Sequence, residues 1–308
     1  MPANLEGRQS SLLSEPVFVI GCNRSGTTVL FRTLSHHPDL WSRYIENRDR
    51  FLSCFPPDGP EGARVEQFSG TEARQVERFL YEGAQNRQLA IGTPPLQHLP
   101  IRLFQKPVTD LFKSPPVPVI DKTPSNCFRV SALAEAFPNA RFIYLVRRGE
   151  AVVSSLMEGW KRWAGVDRTE DWSYGTWIYL RPPGWRDYID RPLWEICAFQ
   201  YKAANLAALD ALESLEEDRW ILVRHEDLVS NPVAGYGRLR AFLHLSASAH
   251  WQQDVVQRLN ERVITRGGSA PEPGKWKRLH GEAVRKVRNW IEPVNRNFYD
   301  GDEHIDTA

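Results

Sequence analysis

Cysteine is scarce in this chain, long apolar runs are missing, and almost no net charge is left over. Each shortage removes a class of protein. The four cysteines among 308 residues, Cys22, Cys54, Cys127 and Cys197, are far apart. They form no C-x-x-C pair and have no histidines at zinc-ligand spacing, which argues against a disulfide framework or structural zinc and for reduced thiols in a cytosol. A net charge of +1 provides no global attraction to nucleic acid or to an acidic membrane surface. No apolar stretch reaches the roughly 18–20 residues that a membrane helix needs. The first residues, MPANLEGRQSSLLSEP, lack the apolar centre of a signal peptide. We therefore expect a cytoplasmic protein with no membrane span, no nucleic-acid partner and no metal site. Its oligomeric state is left open, a homodimer included.

What is present is a core. Hydrophobic residues make up 42% of the chain, enough for one large domain or two small ones. Four short runs read as strands buried on both faces: PVFVIG (16–21), VPVID (117–121), ARFIYLV (140–146) and RWILVR (219–224). Helical patterns lie between them, at 27–35, 125–137 and 193–212. Such alternation implies an α/β fold around a central parallel sheet. No repeat of solenoid length recurs. Residues 55–118, rich in Pro and Gly, read as loops and short helices over the sheet. Residues 158–194 hold six of the eleven tryptophans, which singles them out as either an acceptor wall or plain core packing. The expected organisation is a flexible tail over 1–15, one domain over 16–298 and a second tail over 299–308.

Between the first strand and the first helix lies GCNRSGTT (21–28). A loop in this place turns backbone N–H groups and a helix dipole toward an anion. In ATP and GTP enzymes a lysine follows the second glycine and a Ser/Thr after it holds Mg²⁺. Here Thr27 stands in the lysine position and Arg24 lies inside the loop, so a planar guanidinium is offered instead. Ser25, Thr27 and Thr28 add hydroxyl donors. The plain alternative is a capped strand–helix turn. A second candidate is LVRRGEAVVSSL (145–156), where Arg147 ends a strand and Ser155 lies on the following helix. Both can meet one phosphate at the edge where α/β sheets bind ligands. Taken singly, each also reads as a surface arginine or an ordinary helical serine.

Together these motifs resemble the sulfotransferases that use 3′-phosphoadenosine 5′-phosphosulfate (PAPS), over about residues 16 to 298. The resemblance implies a P-loop-NTPase-like three-layer fold in a single domain. It also implies that Ser25, Gly26, Thr27 and Thr28 hold the 5′-phosphate, with Arg24 near the bridging oxygen and sulfuryl group. Arg147 and Ser155 match the family's 3′-phosphate motif, although Arg148-Gly149 stands where Asp-Pro or Asn-Pro is usual. VRHEDLVSNP (223–232) resembles the family's YEDL segment, with His225 for the common Tyr. GKWKRL (274–279) resembles the KW segment of tyrosylprotein sulfotransferases, which would bring Lys275 and Trp276 to the cofactor. Equally, they read as a surface lysine beside a packed tryptophan.

Sulfuryl transfer needs a base for the acceptor and positive charge over the moving oxygens. His98 in LQHLP is similar to the catalytic histidine of cytosolic sulfotransferases, but it lies too far ahead of Arg147 and reads as a loop residue. Glu46 stands where tyrosylprotein and glycan-directed enzymes carry a catalytic glutamate, and shielding beside phosphates would raise its pKa. A salt bridge to Arg43, Arg48 or Arg50 is its alternative. Lys122, at the end of the second strand, matches a lysine that steadies the departing phosphosulfate; its alternative is a pair with Asp121. The resulting expectation is a PAPS-dependent sulfotransferase, releasing PAP, with Glu46, Arg24 and Lys122 as catalytic residues and a small-molecule, natural-product, lipid or sugar acceptor. Its rivals are a P-loop kinase or NTPase and a non-catalytic nucleotide-binding protein.

Overall fold

The computed structural model describes residues 12–43, 46–53, 67–85, 116–163, 177–249, 251–253, 255 and 273–299. Cys54, His98, part of the Trp-rich stretch and most of both expected tails lie outside the described residues. In chain order the elements are β1 (Val17–Ile20), α1 (Thr27–Ser35), α2 (Arg48–Ser53), α3 (Gly70–Gln85), β2 (Ile120–Asp121), a 3₁₀ turn (Pro124–Phe128), α4 (Val130–Ala136) and β3 (Arg141–Val146). There follow α5 (Gly149–Trp163), α6 (Leu193–Leu212), β4 (Trp220–Arg224), α7 (His225–Ser230), α8 (Pro232–Phe242), α9 (Lys275–Lys286) and α10 (Arg288–Tyr299).

The strands form one parallel sheet in the order β2-β1-β3-β4. Side chains alternate across a strand, and here both faces are apolar. Val17, Val19, Ile143 and Leu145 pack against Leu30 and Leu34 of α1 and Leu239 of α8. Phe18, Ile20, Phe142, Tyr144 and Val146 pack on the other side with α5, α6 and α10. Covering both faces makes three layers and explains why the strands read as continuous hydrophobic runs. Ahead of residue 16, Leu13 is buried in the core and bridged to Val117.

Strand order positions the site. β2 lies on one side of β1 and β3 on the other, so the connections diverge at β1 and leave a crevice beyond the carboxyl ends of β1 and β3. α1 covers one face and α5 the other, so the loops after β1 and β3 both open there.

Two expectations need correction. The helix expected over 125–137 is divided at Arg129, which has φ −130°. Its guanidinium turns inward to donate to Ser125 Oγ at 2.9 Å, which fits a 3₁₀ turn and a separate α4 better than one continuous helix. Within 55–118, α3 is a helix of 16 residues where only short ones were expected. Its signal is Ser69-x-x-Glu72, a capping box in which Ser69 N–H donates to Glu72 (2.7 Å) and Glu72 N–H to Ser69 Oγ (3.2 Å). Val76, Leu80 and Ala84 then bury one face.

Gly21 sets how closely loop and sheet approach. A Cβ there would lie 2.5 Å from the Leu145 carbonyl oxygen, backbone that cannot retreat without opening the β1–β3 ladder. Gly21→Ala is expected to cost about 2 kcal/mol or more, read as a lower urea midpoint. An unchanged midpoint would show that the ladder tolerates the methyl group.

Candidate functional site

After Gly21 the chain folds into a tight loop. Ser25 N–H donates to the Cys22 carbonyl at 3.2 Å, and Arg24 (φ 71°) and Gly26 (φ 98°) both adopt the left-handed hand. Arg24 lacks glycine's freedom, so its conformation carries strain; anion-binding backbone concavities use residues of this hand. Gly26 caps α1 without any side-chain hydrogen bond, and the first turn contains no acidic residue. The opening N–H groups of α1 and its positive dipole end therefore remain available to an anion. Ser25 is fully buried, and its hydroxyl has no hydrogen-bond partner among the described residues. An orphaned buried hydroxyl costs about 1–3 kcal/mol, a cost that a ligand oxygen would remove.

Arg147 reaches this loop from the end of β3. Its Nη1 donates to the Arg24 carbonyl at 3.2 Å, while Arg24 Nε donates to Ser155 Oγ at 3.0 Å. Residues expected to serve two anion sites thus meet in one crevice. Burial lowers the pKa of Arg147; Glu226 opposes that shift and the Arg24 charge adds to it. Two guanidinium groups drawn together at a sheet edge are electrostatically suited to an anion between them.

Lys122 and Glu46 also come together. The strand-like segment after α1 runs beside β2, with Ile120 N–H donating to the Trp41 carbonyl at 2.6 Å. Asn47 is fixed to the end of β2: its Nδ2 donates to Asp121 Oδ1 at 2.7 Å and its N–H to Thr123 Oγ1 at 3.2 Å. Glu46, one residue earlier, accepts from Lys122 Nζ, and the same ammonium donates to Thr28 Oγ1 at 3.1 Å. Lys122 is buried while Glu46 is 39% exposed, so the pair has a protein side and an open side. Asp121 is occupied by Asn47, Asn126 and Thr123. Desolvation pushes its pKa up to about 6, with the Asn47 and Thr123 hydrogen bonds and Lys122 opposing and Glu46 adding to the rise.

Lys275 is less open than expected. Its ammonium pairs with Glu158 at 2.9 Å, the lysine 14% and the glutamate 21% exposed, on α5 about one turn beyond Ser155. Trp276 packs partly buried against the core. Of the Trp-rich stretch, Trp160, Trp177 and Trp185 are core residues in edge contact, with ring centroids 5.4 and 5.0 Å apart. They pack in the core and do not form an open wall. Tyr179 was not anticipated. It has φ 63°, and its buried hydroxyl lacks a hydrogen-bond partner among the described residues. Leu180 N–H ties this segment to Asn23 Oδ1 of the loop at 3.2 Å. No local pattern announces that contact, because it spans 157 residues.

A crevice with an open helix N-terminus, paired arginines and a lysine–glutamate couple suits a polyanionic group that is approached by a second reactant. The model of the sulfotransferase family matches residues 16–249. No curated protein matches the chain. Among solved structures, the sulfotransferase domain of the Synechococcus PCC 7002 olefin synthase is similar at 18% identity, covering 93% of this chain and 97% of that one, with a TM-score of 0.50. Sulfotransferase STF1 from Mycobacterium tuberculosis H37Rv shares 14% identity over 91% of this chain and 77% of its own, at a TM-score of 0.48. Mouse sulfotransferase SULT7A1, complexed with PAP, shares 11% over 92% and 85%, at 0.47. At 18% identity the likeness to the olefin synthase domain is one of fold. The family match, by contrast, covers well over half of the sequence and includes the loop, both arginines, Ser155, Glu46 and Lys122: the chain belongs to the sulfotransferase family.

Proposed function

We propose that the protein transfers a sulfuryl group from PAPS to a hydroxyl or amine of a small-molecule acceptor. The observation that carries this reading is the Lys122 ammonium, which bridges the Glu46 carboxylate and the Thr28 hydroxyl of the phosphate loop. One cation thereby joins the candidate base to the place where the leaving phosphate would sit. The orphaned Ser25 hydroxyl, with Arg147 bonded to the Arg24 carbonyl and Arg24 to Ser155, fits a nucleotide with phosphate at both ends. Ser25, Gly26, Thr27 and Thr28 would hold the 5′-phosphate, and Arg147 with Ser155 the 3′-phosphate. Bound PAPS would supply the sulfuryl group and a phosphate leaving group.

In the proposed step the acceptor oxygen or nitrogen forms the new bond to sulfur. Its proton passes to Glu46, and the sulfur–oxygen bond to the phosphate breaks with its electron pair going to PAP. Protonation neutralises Glu46, so the Lys122 charge is no longer shared with a carboxylate and falls on the leaving phosphate. Base and charge stabiliser are thus coupled through one ammonium. Arg24 contributes a second positive group, and no metal is invoked. Lys275 joins the cofactor site only when its ammonium leaves Glu158.

Glu46→Gln should still bind PAP and lose transfer by about 10²–10⁴-fold. Lys122→Ala should also retain PAP binding while losing transfer. Mass gain on acceptors screened with PAPS reads both; unchanged transfer in both variants removes the catalytic assignment. Arg147→Ala should weaken PAP binding in calorimetry, and an equal affinity removes the 3′-phosphate assignment. Mg²⁺-dependent ATP turnover without PAP binding would favour a P-loop kinase instead. PAP binding without transfer to any acceptor would leave a non-catalytic nucleotide-binding protein.

His225 borders the loop so closely that a Cβ on Gly26 would lie 2.7 Å from its Nδ1. Desolvation, with help from the Arg147 charge, holds its pKa down at about 3, against the usual 6.5. A depressed histidine adds stability above its unfolded pKa and loses that contribution as pH falls from 6.5 toward 3. The imidazole NMR signals of His225 in the free protein should therefore not titrate between pH 5 and 8. A midpoint near 6.5 would contradict this environment.

A further inference from the structure

We infer that Asn295, on the C-terminal helix α10, is a positioning residue that holds Arg147 where it can bind the 3′-phosphate. The inference rests on the proposed PAPS reading and concerns a helix beyond the matched segment, which ends at residue 249.

Arg147 and Arg148 join β3 to α5, and the Arg148-Gly149 step departs from the pattern expected of its family. Where a proline would bring no N–H, Gly149 brings a donor at the start of a helix, and such donors need a partner from outside the helix. Asn295 Oδ1 accepts it at 3.0 Å. The same oxygen accepts from Tyr201 Oη at 2.9 Å, and that hydroxyl also lies 3.4 Å from the Arg147 carbonyl. On the other side, Asn295 Nδ2 donates to both Glu150 oxygens, at 3.0 and 3.1 Å. Two bonds accepted by the oxygen and two contacts donated by the nitrogen fix which end of the amide faces which partner.

The fit is steric as well. A Cβ at residue 149 would lie 2.4 Å from Ile291 Cγ2 and 2.6 Å from Tyr201 Cε1. Glycine is what allows α10 and α6 to close on the turn. The remaining member, Arg148, is held from the far end of the same helix. Its N–H donates to Glu226 Oε1 at 3.2 Å, Tyr299 Oη donates to Glu226 Oε2 at 2.7 Å, and its guanidinium lies 4.5 Å from the Tyr299 ring centroid. Residues 147 to 150 are thus each bonded to α10 or to a group that α10 holds. Asn295 touches neither arginine nor anion; it acts through the backbone that aims Arg147.

The test compares affinities for PAP and AMP, which lacks the 3′-phosphate, by calorimetry on the full chain. Wild type should prefer PAP, and Arg147→Ala should lose that preference. Asn295→Ala should lose about tenfold in PAP affinity, the worth of one charge-assisted hydrogen bond, with AMP affinity unchanged. Adding it to Arg147→Ala should change nothing further. A merely structural residue would lower both affinities together or neither, and either result overturns the inference. If Asn295→Ala does not fold, Asn295→Asp serves. Alone, it places two carboxylates in contact and should lose the preference; combined with Glu150→Gln it re-forms both bonds and should restore it. Failure of the swap to restore it also overturns the inference. A wild-type protein without preference for PAP removes the 3′-phosphate reading and this inference with it. A preference kept in Asn295→Ala removes the inference alone.

Discussion

Arg24 and Arg147 stand together because β1 and β3 are hydrogen-bonded in a register that ends the two strands near the same level, Ile20 opposite Tyr144. Everything chemical in the molecule depends on that pairing. Like charges repel, and a peptide would not gather two guanidinium groups by itself. Here the cost falls on a sheet with about as much apolar contact as it can have: both faces of both strands are buried, and Gly21 allows loop and ladder to approach without a side chain between them. Core packing stabilises the domain and thereby keeps in place a local concentration of positive charge that is unfavourable until an anion arrives.

β2 extends the same arrangement sideways. Its two residues are few for a strand, yet they end in Asp121 and are followed by Lys122. The buried carboxylate organises Asn47 and Asn126 and so determines where Glu46 lies; the ammonium links Glu46 to Thr28. Neutral polar side chains around one buried carboxylate form the base of this corner, and the charged pair above it is the part proposed to react.

Much of this was legible in the sequence, for reasons of period and contrast. All four strands lie within the runs read as strands, because parallel strands buried on both faces leave uninterrupted apolar segments. The long Ala- and Leu-rich helix has the expected bounds, Leu193–Leu212. The loop after β1 and the strand-end Arg147 were legible as candidates because each motif is local. What could not be read depends on partners far away in the chain. Nothing near Glu46 indicates that Lys122, 76 residues on, will bind it. The division of helix 125–137 reflects where the Arg129 side chain goes. The abundance of tryptophan in 158–194 left a wall and core packing equally open, and only the burial of Trp160, Trp177 and Trp185 decides that these three are core. Helix α3 differs from these: its capping box is local and present in the sequence, but the Pro- and Gly-rich residues of 55–118 give the region the composition of loops.

Helix α10 has a consequence for the order in which the molecule matures. It follows every described strand, so a growing polypeptide that has completed β4 at Arg224 contains all the strands of the described sheet before α10 is made. The turn after β3 would at that stage still lack Asn295 and Tyr299. On the proposed reading, the pairing of the central layer and the aiming of Arg147 draw on different parts of the chain. A chain with its strands paired but without α10 would lack the groups that hold the turn after β3.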